Sequence, residues 1–441
     1  MMFNDFEYAR PDMSSLEKEF EQQLHAFEHA ATFEAQDLAF QHINEMRTTF
    51  TSMYNICHIR HTIDTRDHFY EKENTFFDQH MPAFEALKNQ FYQKLMNARF
   101  RKELEAKWGQ HLFILAELHQ KTFLPTILED MQAENQLSSS YTKIKAQAKI
   151  ELDGKEYNLS TIQKEESSKD RQRRKAAAEA KWSFYQGQSA TIEDIYHQLV
   201  QTRHSMAQKL GYTNYVELGY ARMMRSDYTA QDVAAFRAQV LEHIVPVASE
   251  LYERHRKRLG VETLRYYDED FRFASGNPTP KGAPEWIVTQ AQQMYKELAP
   301  ETHDFFQQML SKQLMDLEAR EGKATGGYCT FIGAYKAPYI FSNFNGTSSD
   351  IDVLTHEAGH AFQVYSSRNV GLTEYQWPTF EACEIHSMSM EFFTWPWMHL
   401  FFGEDTDKYK FAHLAGAVKF LPYGVAIDEF QHTVYEHPDM T

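Results

Sequence analysis

The chain has 441 residues, a formal net charge of −17 and 42% hydrophobic residues. This length exceeds what one simple core usually contains, so two or three lobes are expected. The acidic balance argues against nucleic acid and anionic membrane surfaces as partners, because both require a basic surface. No run of about 18 uninterrupted apolar residues occurs, so no membrane span is predicted.

The cysteines indicate the compartment. Cys57, Cys329 and Cys383 are widely spaced and odd in number, which is typical of proteins in a reducing environment. The first seven residues are acidic and lack the basic and then apolar order of a secretory signal. We therefore predict a cytoplasmic protein.

The first third of the chain has the pattern of long helices. From residue 14 to about residue 135, charged residues alternate with Phe, Leu and Met at helical spacing, and proline is scarce. Ser14 to Ala31 and Thr75 to Trp108 are each predicted to form one helix. The pattern breaks at residues 149–159, where Asp153-Gly154 between two short β-type runs predicts a small hairpin.

The predicted division into lobes follows from the next segments. Residues 168–185 are charged and rich in alanine, and they are predicted to form a solvated helix that links two lobes. An N-terminal helical lobe is therefore assigned to residues 1–185, and the second domain to residues 186–441. Further helices are expected from residue 191 to residue 259. The predicted fold class is mostly α.

A different pattern occurs at residues 326–347. Aromatic and β-branched residues between turn formers predict two short strands, the first beginning at Tyr328. An edge strand at this place can pair with an extended peptide, so Gly326, Gly327 and Tyr328 are candidate substrate-binding residues. A purely structural hairpin explains the pattern equally well.

The strongest chemical motif follows directly. Residues 355–362 (THEAGHAF) contain His356 and His360, which lie on one face of a helix and can reach one metal ion. Glu357 lies beside that ion and can take a proton from water. Ser349 and Asp352 are predicted to form a capping box at the start of this helix.

A row of acidic residues supplies the candidate third ligand. In a predicted helix from about Thr379 to Thr394, Glu381, Glu384 and Glu391 recur on one face with Met388. Zinc in hydrolases usually takes three protein ligands and leaves a fourth position for water. Glu384 is the predicted third ligand, and Glu381 the residue that orients a ligating imidazole. His386 is interpreted as a structural histidine on another face.

These residues resemble a known family. Residues 356–365 (HEAGHAFQVY) and 381–391 (EACEIHSMSME) are similar to the M3 family of zinc oligopeptidases, in the branch of oligoendopeptidase F and Pz-peptidase. Shorter similarities occur at 225–228 (RSDY), 276–282 (GNPTPKG) and 421–426 (LPYGVA). The resemblance is strongest from about residue 185 to the end.

The resemblance implies the fold, the site and the activity. The implied fold is a two-lobed, multi-helix metallopeptidase with a deep channel and a small sheet next to the metal helix. One Zn²⁺ per chain is implied, with His356, His360 and Glu384 as ligands and Glu357 as general base. The implied substrates are short peptides, cleaved by a zinc-dependent endopeptidase.

Two alternatives remain open. A zinc carboxypeptidase can use the same helix motif, although no cation for a substrate C-terminus is evident in the sequence. An inactive, truncated helical chain that only binds peptides is the alternative outside enzymes. M3 proteins normally continue past the segment that matches residues 421–435, so the catalytic domain is expected to be C-terminally incomplete. The expected partners beyond peptides are therefore a second copy of the chain or a complementing C-terminal chain.

Overall fold

The N-terminal part is helical, as predicted. In the computed structural model, which describes residues 1–440, six helices precede the first strand. They are α1 (Met13–Glu28), α2 (Phe33–Ile63), α3 (His68–Met96), α4 (Arg101–Trp108), α5 (His111–Lys121) and α6 (Leu128–Ala146). The first three are capped by the residues that precede them, Asp12, Thr32 and Asp67, whose side chains accept hydrogen bonds from free backbone N–H groups of the first turn.

One predicted helix is two helices. The run from Thr75 to Trp108 is interrupted between α3 and α4, so the prediction of one continuous helix is wrong. The side chain of Gln36 accepts a hydrogen bond from the backbone N–H of Phe100 at 3.0 Å within this break. A contact between distant segments therefore fixes the break, and local periodicity does not reveal it.

The predicted hairpin is confirmed. Strands β1 (Ile150–Leu152) and β2 (Lys155–Tyr157) pair antiparallel around Asp153 and Gly154. Five helices follow, namely α7 (Gln163–Glu166), α8 (Arg171–Lys209), α9 (Tyr215–Arg222), α10 (Ala230–Gln239) and α11 (Val245–Leu259). Because α8 continues through residues 185 and 186, the predicted lobe boundary lies inside a helix, and the division itself stays a prediction.

The second part contains the larger sheet and the remaining helices. They are α12 (Pro284–Leu298), α13 (Pro300–Ser311), β3 (Met315–Glu318), β4 (Tyr328–Ile332), β5 (Ala337–Phe344), α14 (Ser349–Ser367), α15 (Phe380–Phe393), α16 (His399–Phe402) and α17 (Thr406–Glu436). Among residues 1–440, none of the helices combines the length and apolar content that crossing a bilayer requires.

The three-stranded sheet lies directly before the metal helix in the chain. Its strand order is β3-β5-β4, with β4 antiparallel and β3 parallel to the central strand β5. The two predicted strands are confirmed, and β4 is an edge strand. The sequence pattern missed β3, which has only four residues and pairs in parallel with a strand about 20 residues later.

The largest core joins the sheet to the metal helix. It contains buried side chains from α12, α13, β5 and α14, together with Phe3 and Phe6 from the start of the chain. Phe3 packs against Tyr339 of β5 with ring centroids 4.4 Å apart. A second core fills the space among α1 to α5. The first residues therefore stabilise the part of the molecule that carries the candidate site.

Candidate metal centre

Helix α14 presents the first two candidate ligands. It begins at Ser349, but the predicted capping box with Asp352 does not form. Instead Asp350 accepts hydrogen bonds from the backbone N–H groups of Asn345 and Gly346, both at 2.9 Å. The carboxylate of Asp352 accepts a hydrogen bond from the Tyr409 hydroxyl at 2.6 Å, which ties α14 to α17.

The three predicted ligands converge. The Oε2 atom of Glu384 lies 3.1 Å from Nε2 of His356 and 3.5 Å from Nε2 of His360. One ligand atom from each residue lies within 4.8 Å of the other two. Two imidazole nitrogens and one carboxylate oxygen are the donor set of zinc sites that keep an open position. The donor chemistry and the spacing of these atoms therefore fit a zinc ion.

A glycine lets the two ligand helices approach each other. A Cβ atom on Gly359 would lie 2.6 Å from Cα of Ser387 and 2.8 Å from the carbonyl oxygen of His386. Contacts this short to backbone atoms leave no room for a side chain. The backbone of α14 therefore rests directly on α15, and this contact sets the distance between the histidine pair and Glu384.

We expect Gly359→Ala to separate the two helices. Overpacking of this kind typically costs about 1–3 kcal/mol of unfolding free energy, and the ligand geometry should loosen with it. Urea denaturation and zinc titration measure the two effects. Gly187→Ala, in the middle of α8 where the added Cβ contacts nothing within 4 Å, is the control and should stabilise the protein by roughly 1 kcal/mol. Equal effects of the two variants on zinc affinity would contradict this account.

The two imidazoles have different second partners. Nδ1 of His356 lies 2.7 Å from Oε1 of Glu391, whereas Nδ1 of His360 lies 3.2 Å from Nε2 of His386. The prediction that Glu381 orients an imidazole is wrong, because its carboxylate accepts a hydrogen bond from Arg225 at 2.6 Å. The interpretation of His386 as a histidine on another face is also wrong. Both roles depend on the rotation of α15, which the spacing of the acidic row does not specify.

The carboxyl of Glu357 is the unusual group of the site. Its side chain is buried, the residue being 6% exposed, and its Oε2 atom has no hydrogen-bond partner among the described residues. Burial raises the pKa of Glu357 to about 7, although the nearby His356 and His360 act to lower that pKa. A buried carboxylate oxygen without a partner, next to three convergent candidate ligands, is suited to accept a proton.

The candidate ligands shift one another's pKa values through hydrogen bonds. Hydrogen bonds to His356 and His360 hold the pKa of Glu384 well below its usual range. Burial acts to lower the pKa of His356, but hydrogen bonds to Glu384 and Glu391 outweigh it and raise this pKa to about 10. Burial, together with the neighbouring His360, lowers the pKa of His386 to about 4, so this ring is neutral near pH 7.

The edge strand β4 runs beside this carboxyl. Gly326 has a φ of 93°, a left-handed conformation that favours glycine, at the turn into β4. Gly327 lies so close to the site that a Cβ there would be 3.2 Å from Oε1 of Glu357. The Tyr328 side chain instead points toward the N-terminal helices, where its hydroxyl is 2.7 Å from that of Thr62. Of the three candidate substrate-binding residues, Gly327 therefore lies against the site.

The hydrogen bonds of β4 and β5 indicate which backbone groups of β4 point away from the sheet, where an added peptide strand could pair with them. The carbonyl of Phe331 accepts a hydrogen bond from the Asn55 side chain at 2.8 Å, so it points away from β5. The N–H of Ile340, opposite Cys329, bonds to Leu314 on the far side of β5. Because alternate residues of an antiparallel strand face the same side, the N–H and C=O of Cys329 also point to the outer edge.

Three features are typical of one class of protein, the helical metallopeptidases with an HExxH helix. They are two candidate ligands one helical turn apart, a candidate glutamate ligand from the next helix, and a mostly helical body. Comparison with protein families identifies the family within this class. Residues 3–123 match the Peptidase M3 N-terminal domain, and residues 165–439 match Peptidase family M3. The chain belongs to peptidase family M3.

Individual relatives agree with this assignment. The chain is 25% identical over 230 residues to an oligoendopeptidase F homolog of Borreliella burgdorferi, and the match covers 51% of the chain and 37% of that relative. The match therefore spans less than half the length of this curated relative.

Solved structures match the whole chain. A protein assigned as oligoendopeptidase F is 57% identical with a TM-score of 0.99, covering 100% of the chain and 78% of its own. Pz peptidase A, solved with an inhibitor, is 56% identical with a TM-score of 0.98, covering 99% and 78%. A protein of Bacillus anthracis strain Ames assigned as oligoendopeptidase F is 54% identical with a TM-score of 0.99, covering 100% and 81%. The mostly helical fold predicted from the sequence is confirmed.

Proposed function

We propose that this chain is a zinc-dependent endopeptidase that hydrolyses short peptides. The observation that carries the proposal is the unpartnered Oε2 atom of buried Glu357 beside the convergent donor atoms of His356, His360 and Glu384. A purely structural zinc site has no use for such a carboxylate and usually closes with a fourth Cys or His. The names of the relatives, oligoendopeptidase F and Pz peptidase A, support peptides as the substrates.

The four residues of the site have two different roles, metal binding and proton transfer. His356, His360 and Glu384 would hold the ion, which when bound supplies Lewis-acid polarisation of the scissile carbonyl and of the attacking water. Glu357 accepts one proton from that water and delivers it to the leaving amine as the C–N bond breaks. In the metal-free protein burial raises the pKa of this carboxyl, which favours uptake of the proton, and a bound cation would act in the opposite direction and favour its release.

Strand β4 would hold the substrate. An extended peptide that pairs with the outer edge of β4 gains hydrogen bonds to the N–H and C=O of Cys329. Gly327, one residue before β4, lies against the Glu357 carboxylate. A peptide on this edge therefore passes next to the catalytic carboxyl, with main-chain recognition that does not depend on sequence.

The decisive test is an assay with internally quenched fluorescent peptides. Cleavage should disappear on addition of a chelator and return with zinc. A peptide with an amidated C-terminus separates the two enzyme alternatives, because an endopeptidase cleaves it and a strict carboxypeptidase does not. Binding of the peptide without cleavage, in the presence of zinc, would favour the inactive peptide-binding alternative and overturn the proposal.

We expect Gly327→Ala to impair substrate use while leaving the metal site in place. The new methyl would lie 2.9 Å from Cγ1 of Val353 and 3.2 Å from Oε1 of Glu357, and it would narrow the space beside β4. We expect kcat/KM to fall roughly tenfold, a loss of about 1.4 kcal/mol, with zinc content unchanged. Steady-state kinetics and metal analysis check this. The role of β4 is wrong if kcat/KM stays at the parent value.

Three predictions from the sequence lie outside this test. They stay predictions: the cytoplasmic location, the two-domain division at residues 185 and 186, and association with a second copy or a complementing C-terminal chain. Size-exclusion chromatography with light scattering measures the last of them directly.

A further inference from the structure

A line of partly buried, hydrogen-bonded side chains leads away from His356. Nδ1 of His356 is hydrogen-bonded to Oε1 of Glu391 at 2.7 Å, and Oε2 of Glu391 lies 2.5 Å from Nε2 of His413. His413, on α17, accepts at Nδ1 a hydrogen bond from the indole N–H of Trp395 at 3.1 Å. Nothing in the proposed reaction uses His413 or Trp395, yet hydrogen bonds connect both residues, through Glu391, to the candidate metal ligand His356.

The ring of His413 is held firmly in this line. Its side chain is only 7% exposed, and that of Glu391 is 14% exposed. Tyr409 stacks on one face with an interplanar angle of 14°, and Phe392 packs against the ring with centroids 4.8 Å apart. The imidazole therefore has little freedom to turn over and exchange its two nitrogens.

The direction of each hydrogen bond follows from what each group can donate. An indole N–H is a donor only, so Nδ1 of His413 must carry a lone pair. The proton of the neutral ring is then on Nε2, which donates to Glu391. The carboxylate accepts on both oxygens, and its second donor is Nδ1–H of His356. With Nδ1–H committed to Glu391, Nε2 of His356, which lies 3.1 Å from Oε2 of Glu384, is the nitrogen that would present its lone pair to a metal ion between these two residues.

We propose that Trp395 and His413 are positioning residues that, through Glu391, hold His356 in the tautomer whose Nε2 can bind a metal ion. The inference rests on the proposed function, because it assigns these residues a purpose at that zinc site. His360 is held differently, because its Nδ1 lies 3.2 Å from Nε2 of His386. The orientations of the two candidate histidine ligands are therefore fixed by different partners, the carboxylate of Glu391 for His356 and the imidazole of His386 for His360.

The proposal makes a distinctive prediction for Glu391→Gln. An amide offers one acceptor and one donor group where two donors, His356 and His413, converge. Because Trp395 fixes the proton of His413 on Nε2, both imidazoles present an N–H to the side chain at position 391. The NH₂ group of the glutamine therefore faces one of these N–H donors without an acceptor between them. We expect the zinc dissociation constant of this variant to rise by roughly 10- to 100-fold, the usual cost of losing a partner of a metal ligand.

Removing the indole N–H should relieve that conflict. In Trp395→Phe, His413 can place its proton on Nδ1 and accept at Nε2 from the amide of Gln at position 391. The double variant is therefore expected to bind zinc several-fold more tightly than Glu391→Gln alone. Trp395→Phe by itself should change the affinity by less than about threefold, because His413 can still donate to Glu391.

The chain offers a matched control for this substitution. Trp397 also donates its indole N–H, in this case to the carboxylate of Glu297 at 2.7 Å, which is not in contact with the candidate metal ligands. Trp397→Phe should therefore not rescue Glu391→Gln. Zinc affinity of the full chain is measured by competition with a chromophoric chelator, and the visible spectrum of the Co²⁺ form reports the ligand geometry of each variant. Thermal unfolding of the metal-free variants separates lost folding from lost affinity.

The outcomes are distinct. Rescue by Trp395→Phe and not by Trp397→Phe supports the proposal. The proposal is overturned if the losses of zinc affinity in Glu391→Gln and Trp395→Phe simply add, or if Trp395→Phe and Trp397→Phe restore the affinity equally. The proposed function still stands in that case, provided that the parent chain binds zinc and cleaves peptides. If Glu391→Gln does not fold, the tautomer is read directly in the parent. Nitrogen-15 NMR of histidine-labelled protein, with His413 assigned by its loss in His413→Gln, should show Nε2–H, and Nδ1–H would overturn the proposal. A parent chain that binds no zinc defeats both claims.

Discussion

Glu357→Gln is expected to lower kcat by a factor on the order of 10² or more, the usual scale for loss of a general base. The amide has nearly the same shape as the carboxyl but cannot accept the proton of the attacking water. Because Glu357 is not a predicted ligand, the zinc content should stay at one ion per chain. Steady-state assays with a quenched peptide and metal analysis of the same sample measure both. Turnover at the parent rate would exclude the proposed mechanism.

The same variant has a second consequence, for stability. The pKa of Glu357 is raised from 4.5 to about 7, so the folded, metal-free protein binds this proton more tightly than the unfolded chain does. The stability from this group is therefore fully present below pH 4.5 and is lost as the pH rises toward 7. Glu357→Gln should flatten this part of the stability profile and stabilise the metal-free protein at pH 8. Urea denaturation at several pH values in the presence of chelator measures the effect.

Glu384→Gln is expected to remove most of the bound zinc. An amide is a much weaker ligand than a carboxylate, and the site would keep only two strong protein donors. After dialysis, the zinc content should fall from about one ion per chain to close to none, and peptide cleavage should fall with it. Metal analysis and an assay at limiting zinc provide the two measurements.

The matched control lies one turn earlier on the same helix. Glu381→Gln makes the same chemical change in a residue that contacts Arg225 and neither imidazole. This variant should keep the parent zinc content. Loss of zinc from Glu381→Gln, with zinc retained in Glu384→Gln, would reverse the assignment of the third ligand.

The sequence predicts the candidate ligands because their spacing is local. His356 and His360 are one turn apart, and Glu384 belongs to a row of acidic residues on one face of α15. The same row contains Glu381 and Glu391, and the sequence does not tell which of them reaches an imidazole. That choice depends on how α15 is rotated against α14, which the backbone contact at Gly359 determines.

The remaining features depend on contacts between distant segments. His413 enters the site from α17, and no spacing rule connects it to Glu391. Strand β3 is too short to show a period of its own and exists because β5 lies beside it. The break between α3 and α4 is fixed by Gln36 from another helix. Sequence periodicity predicts a helix or strand well where the element's own residues determine it. It fails where contacts with another segment determine whether the element forms or where it ends.

The backbone contact between α14 and α15 also bears on how the protein acquires its ion. Where Gly359 rests on Ser387, two ligand-bearing helices are docked by packing, and the metal is not needed to bring them together. In small zinc domains the ligands assemble only on binding, so loss of metal unfolds the chain. Here the site is preorganised, and the entropy of ordering the ligands is lost when the chain folds. Treatment with a chelator should therefore produce a folded, inactive molecule that can be reloaded, and metal exchange can proceed without a folding step.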